Sequence, residues 1–194
     1  MAIVDGYCTL ADLKARLDIT TVDAARDTVL EQVIEAASRQ VDGWCGRPFA
    51  SGEATRQLTA DNSGMVIMPN DLHTISEIAV DRDDDRVYET IWPIESVDLQ
   101  PYPGPYQVIR PRRGYNFPTH RYAIQITGVW GYGENTPAAI REATLLQAAR
   151  LYKRKDAPFG VAGNAEHGQL QTISSVDPDV KELLKPYMRH WMVV

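Results

Sequence analysis

The sequence contains few of the residues that most directly indicate chemistry. Among its 194 residues are two cysteines, Cys8 and Cys45, and four histidines. There is no Cys-x-x-Cys, and no two histidines stand at helical spacing, so the spacings typical of a structural zinc site are missing. Because no export signal is evident, we expect two reduced, packed thiols. A Cys8–Cys45 bridge is the less favoured alternative.

Long hydrophobic runs are also missing. No apolar stretch approaches the roughly 20 residues that a membrane span needs, and residues 1–5 lack the basic and apolar regions of a signal peptide. We therefore expect no membrane association. Lys and Arg number 20 against 26 for Asp and Glu, giving a formal charge of −6. A mildly acidic chain is a poor generic binder of nucleic acid.

Catalytic and cofactor-binding motifs are missing as well. Gly163 and Gly168 have the spacing of a phosphate loop, but Gln169 follows where that loop has lysine. The acidic run at residues 81–86 lacks the central glycine and distal glutamate of a calcium loop, and we interpret it as a solvated hairpin turn. No Gly-x-Ser-x-Gly occurs, although triads form in space and stay open at this point. We expect no enzymatic activity, no cofactor and no metal.

Helical patterns do occur, and the first 52 residues predict two helices. Thr9 is a good N-cap for a short helix whose leucines recur at helical spacing. A second helix is predicted over residues 24–44, because its apolar side chains fall on one face. Those side chains are Leu30, Val33, Ile34, Ala37, Val41 and Trp44. Gly46 and then Pro48 end this helix.

The periodicity changes between residues 53 and 133. Several stretches are short and rich in β-branched or aromatic residues, which is typical of strands. They are residues 65–68, 75–80, 87–92 and 122–129. Turn-forming residues separate them, at 61–64, 69–71, 83–85 and 101–105. The whole segment predicts a small antiparallel β domain.

The last third of the chain returns to helical patterns. Residues 136–137 are Thr-Pro, which suit the N-cap and first position of a helix over 138–155. Residues 160–168 predict a loop, and together with residues 101–114 we expect them to become ordered on assembly. Asp177 and Pro178 begin a final helix that ends between residues 186 and 190.

Two basic runs are candidates for contact with nucleic acid. The first consists of Arg110, Arg112 and Arg113. The second, at the end of the long helix, consists of Arg150, Lys153, Arg154 and Lys155. Such runs contact phosphates without reading sequence, but a charged loop tip and a favourable helix dipole explain them equally simply.

The C-terminal segment is unusually apolar and aromatic. Its candidate contact residues are Tyr187, Met188, Arg189, Trp191, Met192 and Val193. Residues of these types are enriched at interfaces, so they predict an anchor for a partner's pocket. Docking onto the chain's own core is the alternative.

Several segments, taken together, resemble the phage head–tail connector proteins, also called adaptors or head-completion proteins, which occur in prophages and gene transfer agents as well. The similarity covers both helical ends of the chain, and the β insertion matches only loosely. The matching segments are residues 7–14, 30–42, 44–49, 128–132, 137–143 and 177–187. Their order and spacing carry the resemblance, since no single motif is diagnostic.

The resemblance implies a non-enzymatic virion protein at the head–tail interface, made in the host cytoplasm. It implies a self-assembled ring of about a dozen subunits that lies under the portal protein and meets the tail or stopper protein. DNA would pass through the lumen without specific binding, near Arg110, Arg112 and Arg113. The anchor at residues 187–193 would then dock onto the portal.

We therefore predict an α+β fold. Residues 1–52 and 134–194 would form one helical bundle, and residues 53–133 would be an inserted antiparallel β domain. The alternative function is a nucleic-acid-binding module that uses the two basic runs.

Overall fold

A computed structural model of the chain describes residues 3, 5–154, 161–162, 171–172 and 177–189. Helices and antiparallel strands are both present, which confirms the α+β class. The chain divides into a helical unit, Met1–Gly46 with Thr136–Val194, and a β unit, Arg47–Asn135. Within the described residues, no helix is both long enough and apolar enough to span a bilayer.

The first two helices begin and end at capping residues. α1 (Leu10–Arg16) follows a capping box, in which the Thr9 side chain accepts from the Asp12 amide and Asp12 accepts from the Thr9 amide, each at 3.1 Å. α2 (Ala24–Cys45) begins after Asp23, whose carboxylate accepts from two backbone amides. It ends at Gly46, whose φ of +66° is the left-handed conformation that glycine adopts at helix ends.

The two later helices begin where the sequence predicts. α3 (Ala138–Lys153) begins at the predicted Ala138, although Pro137 and not Thr136 is its N-cap. Its predicted end, Lys155, lies outside the described residues. α4 (Pro178–Leu184) begins after Asp177, as predicted, and continues as a 3₁₀ turn, Lys185–Tyr187.

The helical unit is held together by contacts between helices that are distant in sequence. α3 packs against α1, α2 and α4. A buried cluster joins Leu13 of α1 and Leu30 and Ile34 of α2 to Ala148 and Ala149 of α3. Burial of such apolar side chains is the dominant favourable term in folding.

The β unit is a six-stranded antiparallel sheet. Its strands are β1 (Gly52–Leu58), β2 (Val66–Val80), β3 (Thr90–Trp92), β4 (Val97–Gln100), β5 (Tyr106–Pro111) and β6 (Ile124–Trp130). The order is β1-β6-β2-β5-β4, with β3 paired to β2. In β6, alternate side chains are buried, as expected for a strand with one face on the core. A two-stranded ladder, β7 (Val161–Ala162) with β8 (Gln171–Thr172), completes the described elements.

The turn predicted at residues 69–71 is wrong, because β2 runs through it as one strand of 15 residues. Its register against β5 shifts between Ile67 and Leu72, and Pro69 lies in this gap. Since proline has no amide hydrogen to donate to a ladder, the strand bulges here instead of ending.

The long loop predicted over residues 101–114 is also partly wrong. β5 lies within it and pairs with β2 on one side and β4 on the other. Val108 and Ile109 of β5 are buried, so proline-rich flanks concealed a strand of the core. Of the other predicted loop, residues 160–168, only Val161 and Ala162 belong to the described residues.

Both cysteines are free and buried, as expected for packed thiols. Cys8 belongs to the helical core cluster, and Cys45 is the last residue of α2. The alternative Cys8–Cys45 bridge is not formed.

Gly128 provides a test of the sheet packing. A β-carbon added at Gly128 would lie 2.1 Å from the carbonyl oxygen of Thr74 on the neighbouring strand. We predict that Gly128→Ala lowers the free energy of unfolding by about 1–3 kcal/mol or more, since the strands must separate. The measurement is urea unfolding followed by circular dichroism. Gly133→Ala is the control, because nothing lies within 4 Å of its added β-carbon, and an equal loss in both variants would contradict the prediction.

Candidate interaction surfaces

The helical unit carries a groove beside its C-terminal helix, with a volume of about 280 Å³. Trp44 of α2 and Leu184 of α4 provide apolar surface, and Met188 lies at the same groove. Lys181, Glu182 and Lys185 complete the lining. An apolar floor with a charged rim is the usual composition of a protein-binding surface.

The predicted C-terminal anchor residues differ in their exposure. Met188 is exposed and Tyr187 is half-buried. Arg189 is only 7% exposed, and its amide donates to the Cys45 carbonyl at 2.7 Å. Arg189 therefore attaches the segment to the end of α2, while Met188 is available to a partner. Trp191, Met192 and Val193 lie outside the described residues.

A second concave surface, which we call the arginine cleft, lies on the β unit. It has a volume of about 560 Å³ and contains all three arginines of the first basic run. Its lining residues are Ser63, Met65, Arg110, Pro111, Arg112, Arg113, Gly114, Tyr115 and Asn116. The structure thus brings Arg110, Arg112 and Arg113 to one surface.

The arginine cleft is only partly neutralised from within the chain. Arg112 donates a hydrogen bond to the Asp98 carboxylate at 2.7 Å, and both side chains are exposed. Arg110 donates to the Met65 sulfur at 2.8 Å. Arg113 is exposed, and no carboxylate of the described residues pairs with it. The cleft therefore offers guanidinium groups to an external anion.

The connection from β2 to β3, residues 81–89, forms a second charged feature that we call the acidic turn. Asp81 is fully buried, so the predicted solvated turn is wrong for this residue. Its carboxylate accepts hydrogen bonds from the amides of Asp83, Asp84 and Arg86 at 2.9 to 3.2 Å. These bonds fix the turn, because the turn's own backbone donors are satisfied by one carboxylate.

The acidic turn also brings a histidine next to its buried carboxylate. His120 Nε2 lies 3.6 Å from Asp81 and 4.0 Å from Asp84. Carboxylates with a histidine have the composition of a cation site, but both Asp81 oxygens already accept amide hydrogen bonds.

Two residues with a nucleophilic side chain, Cys8 and Ser38, are buried and are not activated. Burial, and then the charge of Asp12, raise the pKa of Cys8 to about 11, the reverse of what a reactive thiol requires. The Ser38 hydroxyl donates to the Ile34 carbonyl within its own helix, at 2.8 Å. These contacts are structural.

Sequence reasoning missed some residues of these surfaces. The helical pattern places Trp44 only on the packed face of α2, whereas Trp44 is half-buried and lines the groove. Asp81 and His120 lie 39 positions apart in the sequence, which conceals their pairing, and the β2–β6 ladder brings them together. In the second basic run, Arg150 lies 3.9 Å from the Asp177 carboxylate, and Lys155 lies outside the described residues.

Asp81 makes the stability of the β unit dependent on pH. Desolvation alone would raise the pKa of Asp81, but the amides of Arg86, Asp84 and Asp83 and the charge of His120 together hold it below its usual 3.8. Because the pKa of Asp81 is lower in the folded state, the ionised carboxylate stabilises the fold at pH values above the unfolded-state pKa. This stabilisation is lost as the pH falls through the folded-state pKa.

We therefore predict that the free energy of unfolding of the wild type falls more steeply between pH 6 and pH 3 than that of Asp81→Asn. Urea titrations across this range measure the difference. Glu53→Gln, at an exposed site on β1, controls for loss of one carboxylate. Parallel pH profiles for wild type and Asp81→Asn would contradict this account of the turn.

Comparison with known proteins locates the fold among virion proteins. A chain in the neck of an empty gene transfer agent (GTA) particle, computed with C6 symmetry, is 20% identical with a TM-score of 0.65. A chain in the neck of a native GTA particle, computed with C12 symmetry, is 18% identical with a TM-score of 0.62. Each comparison covers 98% of this chain and 93% of the other. A chain of the native GTA virion has a TM-score of 0.62 at 20% identity and the same coverage. No protein-family model and no curated protein matches the chain. This chain therefore shares its fold, over nearly its whole length, with GTA neck chains.

Proposed function

We propose that the chain is a structural subunit of the neck of a tailed-phage-like particle. In this role it is an adaptor, which forms a ring beneath the portal, extends the DNA channel and joins head to tail. The single observation that carries the proposal is the shared fold across 98% of the chain with GTA neck chains. A role in joining proteins agrees with the surfaces found, which are a groove and a charged cleft.

The symmetry of the similar particles supports a ring. Their necks were computed with C6 and C12 symmetry. Identical subunits in a closed ring use two different faces each, joined head to tail. A ring of about a dozen copies follows for this chain by analogy with the C12 neck.

The helical unit is the proposed portal-binding part. Its four helices act as one bundle, built from both ends of the chain, which presents the groove with Trp44 and Met188. Tyr187, Met188 and Arg189, with Trp191, Met192 and Val193, form the proposed portal-binding segment. Within it, Arg189 attaches the segment to α2 and Met188 contacts the portal. Other faces receive the tail or stopper protein.

DNA passes through the proposed ring without being captured. The formal charge of −6 disfavours retention of phosphates on the subunit as a whole. The role requires no catalysis and no cofactor.

The arginine cleft favours one alternative, a nucleic-acid-binding module. Arg110, Arg112 and Arg113 together could neutralise several phosphates, and binding would then weaken steeply with salt. The second basic run adds less, since Arg150 is already close to Asp177. Titration of duplex DNA at low and high salt distinguishes the two functions, because an adaptor shows no tight, salt-dependent binding.

The adaptor function is tested by mixing the purified chain with the portal protein of the same particle. We expect a stable complex that contains many copies of the chain on each portal, measured by sedimentation velocity. A chain that stays monomeric at high concentration and does not associate with the portal would contradict the proposal.

Met188 provides the residue-level prediction. Met188→Asp places a charge on the apolar part of the groove, so we expect at least about tenfold weaker portal binding, as for loss of an interface anchor. Surface plasmon resonance on immobilised portal measures the change. Val22→Asp is the matched control, because Val22 is 93% exposed and is not among the residues lining the groove. Equal affinities for wild type and Met188→Asp would exclude this surface as the portal contact.

A further inference from the structure

The sequence segments that form the arginine cleft and the acidic turn have opposite formal charges. Residues 110–116 of the cleft contain three arginines and no acidic residue, for a formal charge of +3. Residues 81–89 of the acidic turn contain five acidic residues and two arginines, for a formal charge of −3. Both belong to the β unit, so every copy of the chain carries one of each.

The arginine cleft and the acidic turn have complementary shapes. The arginine cleft is concave, with room of about 560 Å³. The acidic turn is an exposed connection between two strands, and residues 82–87 are all exposed. Its acidic side chains are close together, since carboxylate oxygens of Asp81, Asp83, Asp85 and Glu89 lie within 4.8 Å of one another.

Within one copy of the chain, the charges of the cleft and of the turn do not neutralise each other. Among the described residues, no ion pair joins an arginine of the cleft to a carboxylate of the acidic turn. The carboxylates within the turn also repel one another. The negative charge of Asp85 raises the pKa of Asp83, and desolvation and the charge of Glu89 raise it further. Approach of a cation would relieve that repulsion.

Both surfaces are fixed before any contact is made. In the acidic turn, Asp81 accepts three amide hydrogen bonds, and the Tyr88 hydroxyl donates to the Tyr122 carbonyl at 2.7 Å. In the cleft, the Arg112 amide donates to the Ser96 carbonyl at 2.8 Å, and the Tyr115 ring packs on Trp92 with centroids 5.0 Å apart. Preformed surfaces lose less conformational entropy on binding.

We propose that the acidic turn of one copy inserts into the arginine cleft of the next copy, so that these two surfaces form a repeating contact between subunits. The inference rests on the proposed ring, which needs two different and complementary faces on each subunit. Arg110 and Arg113, which have no carboxylate hydrogen bond of their own in the described residues, pair with Asp83 and Asp85 of the neighbour. Bidentate arginine–carboxylate pairs give such a contact its geometric specificity.

A disulfide cross-link tests the contact directly and does not require the portal. Asp83→Cys and Arg113→Cys are prepared as separate variants, which keep the two buried native cysteines. We expect a covalent dimer in the mixture of the two variants under mild oxidation, and little in either variant alone. Raising the salt from about 0.1 M to about 1 M shortens the screening length from about 10 Å to about 3 Å, so the yield should fall. Asp83→Cys mixed with Lys153→Cys, an exposed site on α3, is the control.

Charge reversal provides the second measurement, on complexes with the portal. Arg110→Glu with Arg113→Glu should lower the number of bound copies, and so should Asp83→Arg with Asp85→Arg. The chain that carries all four changes should recover assembly, because its reversed turn meets a reversed cleft. Circular dichroism of each variant confirms that the surface changes leave the fold intact.

The outcomes separate this contact from the adaptor function. If wild-type rings form on the portal but no cross-link appears and charge reversal has no effect, the contact is overturned and the adaptor function stands. If the cleft variant loses DNA binding and the fourfold variant does not recover assembly, the cleft is a phosphate site and the contact is overturned. If the cross-link forms while the chain ignores the portal, the contact stands and the adaptor function fails.

Discussion

The helical unit depends on the burial of α2 by a helix that lies nearly a hundred residues later in the chain. Leu30, Ile34 and Ala37 of α2 have no exposed surface, and Ala148 of α3 is equally buried in the same cluster. Neither helix could bury this face alone, since an isolated amphipathic helix leaves its apolar stripe in water. The two ends of the chain must therefore fold as one unit, and the β unit is an insertion between them.

The helices could be predicted from the sequence because local chemistry sets their ends. Thr9 and Asp177 predict the starts of α1 and α4, and Gly46 predicts the end of α2, each to within a residue. The strands were harder, since their ends depend on long-range pairing. Prolines beside β5 and inside β2 resemble turns in sequence, although the sheet accommodates them at an end and at a bulge.

The interaction surfaces could be predicted only in part. A contiguous run such as residues 110–113 is visible in sequence, and the structure assembles it into one cleft. The groove combines Trp44 with Met188, and the acidic turn combines Asp81 with His120. Tertiary packing brings the two residues of each pair together, so neither their spacing in the sequence nor their residue types predict that they are neighbours. The burial of Arg189 is likewise not visible in the composition of the C-terminal segment.

We propose that these surfaces serve assembly, with copies of the chain arranged around a portal. Electron cryomicroscopy of the chain mixed with its portal, reconstructed without imposed symmetry, measures this most directly. The account predicts a closed ring of identical subunits on the portal, each with the helical unit facing the portal. Portal particles without added density, or single copies bound at irregular positions, would contradict it.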